Sequence, residues 1–289
     1  MYQDIRGNRM KIIATPSRTK EILEKFDLFA KKNYGQNFLT EPGIVSKIAN
    51  HAVVSDHTIV IEIGPGIGAL TQMLSQVAKK VIAYEIDERL PEVLAYSLED
   101  CDNVEIILED FMTVDLKAIV DQYPEDDVVV AANLPYYITT PILFKIFESN
   151  ADIKRITVMM QKEVADRFIA RVNTKDYNAL SVISAYRCEM SKVMNVPKNV
   201  FMPKPNVDSA VLQFRFKPQT IENENEFFEM VKACFKQRRK TIYNNLGEYF
   251  DDKEKAKQLL NNAGIDEKRR AETLTLEEFM HLYEVMIQC

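Results

Sequence analysis

With 289 residues, 46% of them hydrophobic, the chain is long enough for one large α/β core plus a smaller appended domain. A formal net charge of -6 and a pI near 5.4 exclude a protein that coats nucleic acid indiscriminately, because phosphate neutralisation needs a general excess of Lys and Arg. Cys101, Cys188, Cys234 and Cys289 form no CxxC pair and no secreted disulfide framework, and the opening residues and later apolar runs give neither a signal peptide nor a membrane helix, so the cytoplasm is the expected address.

Residues 1 to 40 read as a basic leader with one short helix, Thr19 capping the run KEILEKFDLFA and Ile22, Leu23, Phe26 and Phe29 sharing a face. A second helical pattern covers Pro42 to His51. The apolar runs TIVIEI (58 to 63), KVIAYEI (80 to 86), VEIIL (104 to 108), DVVVAANL (127 to 134) and RITVMM (155 to 160) then alternate with helical stretches. That grammar predicts a parallel, doubly wound α/β sheet. Helical patterns follow in QKEVADRFIARV and ALSVISAYRC, and the proline-rich VFMPKPNVDSAVLQFRF ends in a strand pattern. Lys217, Pro218 and TIENENE read as a linker, and the segments FFEMVKACFKQRRKTIYNNL, KAKQLLNNAGI and LEEFMHLYEVMI are helical by period. The expected division is a leader and lid over 1–40, a main domain over 41–217 and a small all-helical domain over 218–289.

The first strand runs through Glu62 into Gly64, Gly66 and Gly68 and on into a helix, a turn in which backbone approaches a ligand closely. Its GxGxG spacing suits an adenosine-containing cofactor but is not the dinucleotide fingerprint. Glu85, at the next strand end, is placed to accept bonds from ribose hydroxyls, and Asp110, at the third, to accept from an adenine amine. The fourth strand ends in Asn133, Leu134, Pro135 and Tyr136. An adenine amine is a poor nucleophile because its lone pair is delocalised, so a catalyst must hold the nitrogen in line with an activated methyl-sulfur bond. The Asn133 side-chain carbonyl and the Leu134 main-chain carbonyl suit the two N–H bonds, Pro135 stiffens the turn, and Tyr136 offers a stacking face. The alternative for Tyr136 and Tyr137 is packing beneath a strand end. No histidine or metal is required.

The sequence resembles the ribosomal RNA adenine dimethyltransferases of the bacterial small-subunit (16S) type over nearly its whole length. The likeness rests on GQNFL (35 to 39), EIGPGIGALT (62 to 71), EID (85 to 87), NLPYYITTP (133 to 141), MQKEVADR (160 to 167), VFMPKPNVDSAV (200 to 211) and FKQRRKTIYNNL (235 to 246). It implies a Rossmann-like methyltransferase domain using S-adenosyl-L-methionine, with two methyl transfers to each of two adjacent adenines in the 3'-terminal hairpin of 16S RNA during small-subunit assembly. It further implies that Gln36, Asn37, Leu39, Gly66, Ile86 and Phe111 contact the cofactor, with Gly64 at its methionine part, Glu85 at its ribose and Asp110 at its adenine. Asn133 would touch cofactor and target, and Tyr136 and Phe201 would sandwich the flipped base. Phe201 on the stiff loop before MPKP suits stacking; a core anchor for that loop is the other reading.

Where relatives read YG, this chain has Tyr177 and Asn178, and asparagine is expected to keep a left-handed turn. Tyr34 is also atypical. Basic residues cluster in the leader (Arg6, Arg9, Lys11, Arg18, Lys20, Lys25, Lys31, Lys32) and at Lys232, Lys236, Arg238, Arg239 and Lys240 on an expected C-terminal helix. These are candidate phosphate contacts, or else ordinary solvated faces. The expected partner is 16S RNA within the small subunit, engaged by a monomer. Competing readings are a large-subunit adenine methyltransferase conferring macrolide resistance, a non-catalytic RNA-binding assembly factor, and, more remotely, a nicotinamide oxidoreductase.

Overall fold

The computed structural model describes residues 10–28, 37–218 and 220–288. The chain divides into two compact units, Met1–Ala165 with Ser191–Arg215, and Asp166–Met190 with Phe216–Cys289. This division differs from the one expected at 217/218, because the chain leaves the first unit, returns to it and leaves again.

In the first unit the helices are α1 (Pro16–Lys25), α2 (Pro42–Ala52), α3 (Ala69–Ser75), α4 (Leu90–Ser97), α5 (Leu116–Val120) and α6 (Thr139–Glu148). The strands are β1 (Phe38–Leu39), β2 (Thr58–Ile63), β3 (Lys80–Glu85), β4 (Val104–Leu108), β5 (Asp127–Asn133), β6 (Arg155–Gln161), β7 (Cys188–Val196), β8 (Phe201–Met202) and β9 (Ser209–Phe216). Seven of them form one sheet in the order β4-β3-β2-β5-β6-β9-β7. β2 pairs in parallel with β3 and β5, β3 with β4, and β5 with β6, as the apolar runs predict. β9 instead runs antiparallel to β6, so the sheet is mixed rather than wholly parallel. MSKVMNVP, unassigned from sequence, contributes to edge strand β7 because its burial is intermittent and carries no strong period.

β2 is buried at every position, since helices cover both faces of the sheet. The cluster of Ile22, Ile48, Val60, Leu74, Val81, Leu94 and Val129 is fully buried or nearly so, each side chain contributing about 2 kcal/mol of apolar burial. Helix α1 begins three residues before the expected cap. Thr15 accepts from Arg18 N, Pro16 sits at the first helical position, and Thr19 lies inside the helix with its hydroxyl on Ile13 O (3.0 Å). Asp27, at φ 50°, follows the helix end, and Phe29 lies outside the described residues.

The second unit takes up the last three residues of α7 (Lys162–Phe168), then α8 (Ala179–Arg187), α9 (Glu224–Cys234), α10 (Ile242–Phe250), α11 (Lys253–Asn262) and α12 (Leu276–Gln288). A buried ion pair, Arg187 Nη1 to Glu224 Oε2 at 2.5 Å, links α8 to α9. The left-handed turn expected at Asn178 is absent: its φ of -159° is extended, and it caps α8 through Leu180 N and a reciprocal bond from its own N–H to Ser181 Oγ. The helix expected through FKQRRK breaks after Cys234, and residues 235 to 241 form a loop. Asn245 holds that loop, donating to Cys234 O (2.7 Å) and Gln237 O (3.3 Å).

Candidate active site

The order of the sheet reverses on either side of β2, which has β3 as one neighbour and β5 as the other. Ligands of open α/β sheets bind in the crevice beyond the strand ends at such a point. Here a cavity opens, lined from the ends of β1, β2, β3, β4 and β5. Gly64 and Gly66 turn the chain at φ 69° and 59°, in the left-handed region that favours glycine. A Cβ on Gly64 would meet nothing within 4 Å, so it would project into open space in the cradle. Gly68 is different: a Cβ there would stand 3.0 Å from Leu98 Cδ2, so this glycine serves close packing.

Glu62, one residue before the end of β2, is 1% exposed and lines the cavity. Its Oε2 has no hydrogen-bond partner among the described residues, and burial pushes its carboxyl up to about 8, with the neighbouring Thr71 hydroxyl opposing and Glu85 adding to the rise. Glu85 is buried but well satisfied. Its Oε1 accepts from Ile86 N and Asp87 N, both at 2.9 Å, and its Oε2 from Gly66 N at 3.2 Å, which ties the glycine turn to the end of β3. Desolvation still raises its pKa above the ordinary carboxylate value, with those backbone bonds opposing. Asp110 Oδ1 accepts from Met112 N at 2.9 Å and so stiffens the loop after β4. Tyr84 and Phe111 meet edge to face at 5.9 Å beneath that loop.

At the end of β5, Asn133 Nδ2 donates to Asn37 O at 3.5 Å, directing the other end of the amide, Oδ1, elsewhere. Leu134 N bonds to Met159 O (3.1 Å), and Thr139 Oγ1 to Pro135 O (3.0 Å), closing the turn. Tyr136 is half-buried; its hydroxyl and that of Ser209 lie 2.9 Å apart. Burial raises the phenol above its usual pKa, the Ser209 bond opposing.

Asn37, Leu39, Gly64, Gly66, Glu85, Ile86, Asp110, Phe111, Asn133, Leu134 and Tyr136 thus line one cavity. Gln36 and Tyr34 lie outside the described residues. Phe201 is not among the residues lining this cavity; it is 5% exposed within the core cluster, because β8 pairs with β1 and sets Phe201 opposite Leu39, as the core-anchor reading expects. Thr40 completes this clasp through its N–H and hydroxyl, each 2.9 Å from Val200 O. Sequence reasoning passed over Glu62 as a site residue, although one acid inside the apolar run TIVIEI was the available signal.

Among the described residues the lining holds Glu62, Glu85, Asp87, Glu109 and Asp110 and no Lys, Arg or His. The carboxylates of Glu85, Asp87, Glu109 and Asp110 favour a cofactor carrying positive charge over one bearing a pyrophosphate. The donor set and the open space at Gly64 therefore suit S-adenosylmethionine.

Among basic residues, Arg18 pairs with Glu21 at 2.5 Å, Lys20 with Glu24 at 3.5 Å, and Lys25 Nζ sits 3.3 Å from the Tyr96 ring centroid. These leader cations are engaged within the chain; Arg6, Arg9, Lys31 and Lys32 lie outside the described residues. In the 235–241 loop, Arg238 pairs with Glu272 (3.2 Å) and Lys240 with Glu248. Lys236 and Arg239 are exposed. No helix among the described residues is long and apolar enough to cross a membrane.

A family model described as Ribosomal RNA adenine dimethylase matches residues 28–288. A Ribosomal RNA small subunit methyltransferase A from Anoxybacillus flavithermus is 51% identical over 283 residues, covering 95% of this chain and 96% of the relative. Its namesake from Bacillus licheniformis is 48% identical, covering 93% and 95%. Among solved structures, a dimethyladenosine transferase from Plasmodium falciparum superposes with a TM-score of 0.73 at 29% identity, covering 86% of this chain and 97% of the other. The 23S rRNA methyltransferase ErmE gives 0.65 at 28%, covering 87% and 100%. With the crevice, the acidic lining and the Asn-Leu-Pro-Tyr turn in place, the match over nearly the whole length shows that this chain belongs to the ribosomal RNA adenine dimethylase family.

Proposed function

We propose that this chain transfers methyl groups from S-adenosylmethionine to the N6 amines of two adjacent adenines in the 3'-terminal hairpin of 16S RNA, within the small subunit or its precursor. The observation that carries the reading is a single cavity bordered by both the acidic, cation-free glycine turn and the Asn133-to-Tyr136 turn. When bound, the cofactor supplies a methyl group activated by the positive sulfur beside it. Glu85 would take a ribose hydroxyl on the Oε2 lone pair not used by Gly66, its Oε1 being filled by Ile86 N and Asp87 N, while Asp110 and Phe111 would hold the adenine moiety. Asn133 Oδ1 and the Leu134 carbonyl accept the N–H bonds of the target amine, turning its lone pair toward the methyl carbon. The nitrogen then releases a proton to solvent, so the site needs alignment rather than a strong base. Tyr136 stacks on the extruded base.

The small-subunit relatives, at about half identity, support this substrate over large-subunit RNA. A cytoplasmic monomer engaging RNA phosphates through Lys236, Arg238, Arg239 and Lys240 completes the proposal. The test incubates undermethylated small subunits with labelled cofactor and maps the product by mass. Dimethyladenine in the terminal hairpin is expected, and its absence rejects the reading. Asn133→Ala is expected to lower transfer about a hundredfold or more with subunit binding retained; an active variant would contradict the assigned role.

A further inference from the structure

The Tyr136 hydroxyl is idle in the chemistry above. A phenylalanine ring would offer the same kind of stacking face, so the phenolic oxygen has another use, and the structure shows its partner. Ser209, the first residue of β9, is fully buried, and its Oγ lies 2.9 Å from Tyr136 Oη. A buried hydroxyl needs a partner, and this bond supplies one.

Ser209 is itself held from both sides. It stands opposite Gln161 in the β6–β9 pairing. The preceding residue, Asp208, accepts Lys162 N on its main-chain oxygen and Lys198 N on Oδ1, both at 2.9 Å. At its backbone end Tyr136 is fixed by the turn that Pro135 O closes with Ile138 N (3.3 Å) and Thr139 Oγ1 (3.0 Å). A half-buried tyrosine tied only at its backbone would sample several χ1 wells. The second tie, at the far end of the ring, selects one.

We propose that Ser209 is a positioning residue for the methyl transfer, setting through its hydroxyl the angle at which the Tyr136 ring meets the target base. This rests on the stacking role given to Tyr136 in the proposed function. Ser209 touches neither cofactor nor base; it acts through Tyr136, and it links the VFMPKPNVDSAV segment to the Asn-Leu-Pro-Tyr turn by a route independent of Phe201.

A double-mutant cycle on the full chain tests it, with methylation of undermethylated small subunits as the readout. Ser209→Ala and Tyr136→Phe are each expected to lower kcat/KM for the RNA about three- to tenfold, the range set by loss of one neutral hydrogen bond. The double variant should fall no further than either single one, cofactor Kd should stay within about twofold, and Ser209→Thr should restore activity. Additive losses would overturn the proposal. So would a silent Ser209→Ala beside an impaired Tyr136→Phe, or a loss that tracks cofactor affinity or thermal stability. An inactive wild-type chain would instead sink the proposed function, and the positioning role with it.

Discussion

Glu62 sets up a conflict that one proton resolves. A carboxyl with a buried, unpartnered oxygen is tolerated when neutral and costly when ionised. Its folded-state pKa of about 8 lies above the ordinary value of 4.5, so the native state binds the proton more tightly than the unfolded chain does. The stability this contributes is fully present below pH 4.5 and is lost as pH rises toward 8, on the order of 3–5 kcal/mol across that window. Glu62→Gln removes the ionisation. Melting curves of the cofactor-free protein should therefore show the variant gaining on wild type between about pH 5 and pH 8; a difference independent of pH would mean that the carboxyl does not titrate in that range.

The turn after β2 assigns different work to neighbouring glycines. Gly68→Ala must hold φ 89° and push Leu98 aside, so a destabilisation of about 1–3 kcal/mol is expected, read as a fall of several degrees in Tm. Gly64→Ala meets no neighbouring atom, and its Cβ enters the cavity. Its main consequence should be weaker cofactor binding, measured by calorimetry, with a smaller loss of Tm from the positive φ alone. If the two variants lost Tm equally and Gly64→Ala kept full cofactor affinity, Gly64 would not line the occupied site. The β1–β8 clasp is the other element with local consequences. It brings residues near 38 and 201 together although neither strand exceeds two residues, and it packs Phe201 into the core cluster.

Across the whole chain, a net charge of -6 leaves polyanion binding to local groups. Of the basic loop, Arg238 and Lys240 are paired with carboxylates, which leaves Lys236 and Arg239 as the exposed cations that pair with none among the described residues. Lys236→Glu with Arg239→Glu should weaken small-subunit binding and flatten the plot of log affinity against log salt by roughly 0.7–0.9 for each phosphate that is no longer neutralised. An unchanged slope would remove this loop from the interface.

Periodic and nearest-neighbour information was enough for β2 through β6, whose ends agree with the apolar runs to within a residue, and for the turn at Asn133, Leu134, Pro135 and Tyr136. These features are encoded within a few residues of themselves: an uninterrupted apolar run needs burial on two faces, and Asn-Leu-Pro-Tyr at a strand end makes its own turn. Pairing across long separations left no such mark. That β9 returns antiparallel beside β6, that Phe201 is drawn into the core by Leu39, that Asn178 caps a helix instead of turning left-handed, and that Ser209 meets Tyr136 were decided by the tertiary structure. A hydrogen bond or a buried ring takes its partner from whatever the fold brings near, and the residues flanking it in the chain do not record which partner that is.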